Sequence, residues 1–154
     1  MSFEDELDND IDAQLAAEPD FSFVEITVNG KYRKLRFTQM DGLAWADLCD
    51  RCPPRVGVQI DLAYGYNVRA AVTLAAPISG HIQQGDDWKE LSEERWTKLV
   101  RSLPGAQLRA CGDAIFQLNQ FAPAMAVMGA KKASEVESAM NSFSPALSES
   151  PDPA

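Results

Sequence analysis

The stretch FSFVEITVNGKYRKLRFTQ constrains the fold more than any other part of the chain. Two runs rich in β-branched and aromatic residues flank Asn29-Gly30, the dipeptide that accepts positive φ at both centres of a type I′ turn. A two-residue loop fixes the register, so Val28 faces Lys31 and Val24 faces Leu35. Strand side chains alternate between faces, which puts Val24, Ile26, Leu35 and Phe37 on one side and sets Glu25 opposite Lys34 on the other. The apolar side needs a cover.

Helical signals follow at once. Thr38 opens TQMDGLAWADLCD as an N-cap with Asp41 three residues on, and Pro53-Pro54 forbids continuation. RVGVQIDLAYGYN reads as a loop or turn, with one added strand near Val56 to Ile60. Asn67 caps a second helix, VRAAVTLAA, which Pro77 and Gly80 end. The polar segment HIQQGDD reads as a loop. Ser92 caps a third helix, with acids in its first turn where the helix dipole favours them and a stripe of Trp96, Leu99, Val100 and Leu103. Pro104-Gly105 breaks it, and Leu108, Cys111, Ile115 and Leu118 mark a fourth. APAMAVMGAKKAS suggests a loose fifth. These elements predict an α+β fold, an N-terminal β-hairpin packed on a bundle of four to five helices.

The charge is uneven. The 154-residue chain carries a net charge of -9, and Glu4, Asp5, Glu6, Asp8, Asp10, Asp12, Glu18 and Asp20 fall in the first 20 residues without a single Lys or Arg. Such a block predicts a disordered, solubilising arm over 1–20, or an arm that docks on a basic partner surface. The Ser, Pro and acid content after residue 133 predicts a disordered tail over 134–154, leaving one domain over 21–133. The acid excess argues against nucleic acid as a partner. No apolar run approaches a membrane span, and nothing resembles a secretion signal, so a cytosolic protein with reduced thiols is expected.

Cys49 and Cys52 form a Cys-x-x-Cys pair, which raises two chemical readings. For zinc, Cys111 and His81 would complete the set, yet both stand alone in the sequence rather than in a second short-spaced couple. A thiol-redox site wants the pair at a helix N-terminus, whereas here it closes a helix, where the dipole raises a thiol pKa. The preferred reading makes Cys49 a small core residue and Cys52 a loop thiol, with no metal, no cofactor and no catalytic residue. A thiol- or zinc-dependent enzyme built on Cys49, Cys52 and His81 remains the alternative, and a generic adaptor is a third reading. Asp86-Asp87 lacks the further oxygen ligands of a calcium loop. Trp45, Trp88 and Trp96 read as core or core-edge anchors. Met125, Val127 and Met128 suit either a core or an adaptable partner-binding surface.

The acidic leader, the hairpin running into FTQMDGLAWADL, YGYN at 64–67, LSEERW at 91–96, Gln117-Leu118-Asn119 and the Ser-rich acidic tail together resemble the tail assembly chaperones of long-tailed actinobacteriophages. The resemblance covers roughly residues 20–120 and involves no catalytic motif. It implies a non-enzymatic chaperone in the host cytoplasm, not retained in the mature virion. The implied partner is the phage tape measure protein, coated before tail-tube subunits polymerise. The tail-tube protein would be met through a longer, frameshifted form, this chain being the short one.

Overall fold

A computed structural model of the chain describes residues 1–148. It is an α+β protein whose four strands form one antiparallel sheet in sequence order: β1 (Phe21–Val28), β2 (Lys31–Thr38), β3 (Gly80–Gln84) and β4 (Asp87–Lys89). Its helices are α1 (Phe3–Ala16), α2 (Gly42–Arg51), α3 (Gln59–Tyr64), α4 (Val68–Ser79), α5 (Glu93–Ser102), α6 (Gly105–Phe116) and α7 (Ala122–Ser148), with a π-helical turn over Gln117–Phe121. Met1–Asn119 forms one compact unit and the chain from Gln120 onward a second.

The hairpin has the expected geometry. Asn29 and Gly30 sit at φ 52° and 75°, and the ladder pairs Val28 with Lys31, Val24 with Leu35 and Glu25 with Lys34. Val24, Ile26, Leu35 and Phe37 are buried under α4 and α6. Here α4 is the central helix. Ala71, Val72, Ala75, Ala76 and Ser79 are all buried, so its small residues let neighbouring elements approach closely. From α5, Trp96 reaches the ring of Phe37 at 6.3 Å. From α6, Cys111, Ala114 and Ile115 close the core, joined by Leu118 from the π turn. Gln107 of α6 also caps the open edge of β1, accepting from Thr27 N at 2.9 Å and donating to its hydroxyl at 2.9 Å.

Several expectations are corrected. The sheet has four strands because HIQQGDD is not a loop: Gly85, at φ 60°, turns β3 back into β4. These strands are short and polar, so they lack the apolar alternation that announced the hairpin. No strand forms near Val56–Ile60, where Gln59 begins α3 and Gly57 takes φ 75°. Thr38 does not cap α2. Its hydroxyl donates to Ser79 O at 3.3 Å, and Asp41 accepts from Leu43 N instead. Pro77 lies inside α4 without ending it. Trp45 and Trp96 are core residues, whereas Trp88 stacks on Phe23 at 5.5 Å on the opposite sheet face.

The termini also differ from expectation. The acidic leader expected to be disordered forms α1, nucleated by a capping box: Ser2 Oγ accepts from Asp5 N, and Asp5 Oδ2 accepts from Ser2 N, both at 3.2 Å. Acids that repel one another along the chain are favourable in this first turn, because they face the positive end of the helix dipole. Ser2 also holds the Asp5 carboxyl below its ordinary pKa through these hydrogen bonds. At the other end, the boundary expected at 133/134 falls inside α7, which continues to Ser148. Residues 149–154 of the expected tail lie outside the described residues.

Candidate functional site

The Cys-x-x-Cys pair closes α2. Cys49 is half-buried, whereas Cys52 is buried at the helix C-cap and donates its thiol proton to Leu48 O at 3.3 Å. Cys52, expected as a loop thiol, is thus a core residue, and Cys49, expected in the core, packs against it only partly buried, because α2 runs two residues past Cys49 and its last turn swings Cys52 inward. Burial, reinforced by Cys52 and Asp50, pushes the Cys49 thiol up to about 11. Burial raises Cys52 too, and pushes Cys111 up to about 12. All three shifts disfavour the thiolate form that nucleophilic thiol chemistry requires. His81 stands on β3 beside Arg36 of β2, its Nε2 at 3.9 Å from Glu90. Among the described residues no three His, Cys, Asp or Glu side chains gather where they could hold a metal.

The densest polar constellation is one that pattern reading of the sequence missed. Asp61 on α3 is completely buried, and its carboxylate is fully used. Oδ2 accepts from Arg55 Nε at 2.7 Å and Arg55 N at 2.9 Å, while Oδ1 accepts from Arg55 Nη2 at 3.0 Å and Val68 N at 3.2 Å. The two-pronged Arg55 contact and these backbone donors hold the carboxyl well below the usual carboxylate range. The clamp joins the loop after Pro53-Pro54 to the start of α4. With every oxygen partnered inside the protein, Asp61 organises structure and is poorly placed to take a proton. No sequence motif signals such a pair; the only hint was an Asp set between the apolar Ile60 and Leu62.

Beside the clamp lies a groove of about 300 Å³ among α3, α4 and α6. Ile60, Tyr64, Val72 and Leu108 line it, with Arg69 and Arg109 among the polar residues around them. On the sheet face away from the core, Phe23 stacks on Trp88, Lys34 Nζ lies 4.0 Å above the Phe23 ring, and the Arg36 guanidinium lies 4.8 Å above Trp88. Arg36 Nε and His81 Nδ1 are buried without hydrogen-bond partners among the described residues.

In the second unit, α7 carries the predicted partner-binding residues. Met125, Val127 and Met128 are 42%, 68% and 62% exposed, so none serves as core. At 100° per residue, Met125 and Met128 share one face with Val136 and Met140, and Val127 points the other way. Val136 and Met140, both exposed, belong to the same stripe. Their spacing from Met125 already carried that signal, but the Ser-rich composition around them read as a tail. A π turn over Gln117–Phe121 precedes α7, and Asn119 within it donates to Ile115 O at 2.9 Å and accepts from Met40 N at 2.8 Å.

Comparison with known proteins gives no match: no family model, curated protein or solved structure aligns significantly with the chain. No helix among the described residues is long and apolar enough to cross a membrane.

Proposed function

We propose that the chain is a non-enzymatic assembly chaperone that holds a long, apolar, helical client in soluble form through α7. The observation that carries this reading is α7 itself. It is a helix of 27 residues, about 40 Å long at 1.5 Å per residue, on which Met125, Met128, Val136 and Met140 form an exposed stripe. Methionine is unbranched and polarisable, so a Met-bearing stripe adapts to clients of varied sequence. An exposed apolar stripe on a helix, here interrupted by Lys131-Lys132, is the kind of surface used in helix-to-helix recognition. The acid excess would keep the complexes apart until the client is covered.

The client that fits the sequence resemblance is a phage tape measure protein, coated in the host cytoplasm before tail-tube subunits assemble around it, with a longer frameshifted product as the link to those subunits. The raised pKa values of Cys49, Cys52 and Cys111 favour this binding role over thiol chemistry. The test is co-expression with the tape measure protein encoded by the same phage. The client is expected to stay soluble with several copies bound, and binding is expected to survive about 0.5 M salt, because apolar contact carries it and salt screens only charge. A client equally insoluble with and without this chain would refute the proposal.

A further inference from the structure

Two features of the first unit match one another in shape and charge. The first is α1, where Phe3, Leu7, Ile11 and Leu15 recur at every fourth position and wind along one side of a helix about 21 Å long. All four are exposed, and α1 buries no residue. A lone helix of 14 residues is marginal in water, so α1 needs a surface to lie on. The second feature is the groove among α3, α4 and α6, apolar along Tyr64, Val72 and Leu108. Among the residues lining it, Arg69 and Arg109 are exposed and form no ion pair among the described residues, and Asp113 is the one acid.

We propose that α1 of one copy docks in the α3–α4–α6 groove of a second copy, and reciprocally, so that the chain forms a two-fold dimer. Shape supports this, because α4 and α6 have 12 residues each and offer about 18 Å of wall to a helix of about 21 Å. Charge supports it as well. Six acids, from Glu4 to Asp12, flank the apolar stripe of α1, and Arg69 and Arg109 stand ready at the groove. The occupant is assigned to a second copy because α1 buries no residue within its own. Asp20 O accepts from Gln39 N at 2.7 Å, which pins the entry to β1 and leaves Ala17 to Pro19 a reach of only about 10 Å. Within one copy, α1 stays unburied. A two-fold arrangement makes each copy both donor and acceptor of the helix, so two grooves close together. This inference does not depend on the client-binding role of α7.

Sedimentation equilibrium of the full chain up to about 100 µM, a range that captures micromolar association, tests it. The wild type is expected to be a dimer. Leu7→Asp with Ile11→Asp, and separately Arg69→Glu with Arg109→Glu, should each weaken association about tenfold or more, with far-UV circular dichroism and urea midpoint of the body unchanged. A monomeric wild type over the whole range would overturn the proposal, and so would a dimer weakened by only one of the two pairs of substitutions.

Discussion

Both α4 and α7 are helices rich in alanine, yet α4 buries five of its 12 residues and α7 buries none of those whose side chains are described. The difference lies in spacing rather than apolar content. Buried positions in α4 fall at 71, 72, 75, 76 and 79, which stack on one face through successive turns. In α7 eight positions separate Met128 from Val136 and four separate Val136 from Met140, Val127 points away from the rest, and Lys131-Lys132 interrupt the run. A dense face of small residues makes a core helix. A sparse stripe of large flexible ones makes a surface for something else.

The sharpest way to break this comparison is to remove one large side chain from each kind of surface. Trp96 is 1% exposed and packs across Phe37, so Trp96→Ala is expected to cost about 3–5 kcal/mol, read from urea denaturation. Met140→Ala in α7 should leave the midpoint unchanged. An equal loss at both positions would mean that α7 shares the core's cooperativity.

A smaller loss is expected where backbone and ring approach each other. A Cβ on Gly80 would sit 2.7 Å from Ala76 O and 2.9 Å from the Trp96 ring. Gly80→Ala therefore forces a shift at the junction of α4 and β3 and should cost about 1–3 kcal/mol. Gly129 on α7 meets nothing within 4 Å, and Gly129→Ala should be neutral or stabilising through helix propensity. Urea midpoints of the two variants decide the matter.

These contrasts also show which parts of the fold were legible before the structure. The hairpin could be read because Asn29-Gly30 fixes its register and strict alternation then assigns every side chain to a face. The stripe of α6 could be read because Cys111, Ile115 and Leu118 repeat at helical spacing. The strands β3 and β4 could not, since GHIQQ and DWK gain their place by pairing with β2 and with each other rather than by their own pattern. The Arg55–Asp61 clamp was hidden for a related reason: six residues separate the partners, and only the turn at Gly57 brings them together. The acidic run masked α1, because the charge pattern shows net repulsion, whereas the cap that starts the helix rests on the single Ser2-Asp5 pair. The same bias toward composition hid Val136 and Met140 inside a segment that looked like a tail.

The clamp gives the comparison a pH axis. Because the carboxyl of Asp61 is held below its ordinary value when folded, its contribution is present above the unfolded carboxylate pKa, near 4, and is lost as pH falls from there through the folded value. The urea midpoint of the first unit should therefore decline below about pH 4. Asp61→Asn should start from a lower midpoint at pH 7 and show a shallower decline. If both proteins lost stability in parallel, other carboxylates would carry the acid sensitivity.

The smallest effect on stability is expected on α7, and there the two faces of one helix become the comparison. Met125→Asp with Met128→Asp places charge on the stripe shared with Val136 and Met140, while Val127→Asp places the same kind of charge on the opposite side. All three positions are exposed, so either variant should stay within about 0.5 kcal/mol of wild type, and circular dichroism should report unchanged helix content. Client solubility is expected to separate them. The double variant should lose client, because burying two carboxylates in an apolar contact costs far more than the contact returns, whereas Val127→Asp should retain it. Equal loss in both would mean that charge on α7, rather than the stripe, governs binding. Retention in both would move the client contact away from Met125 and Met128.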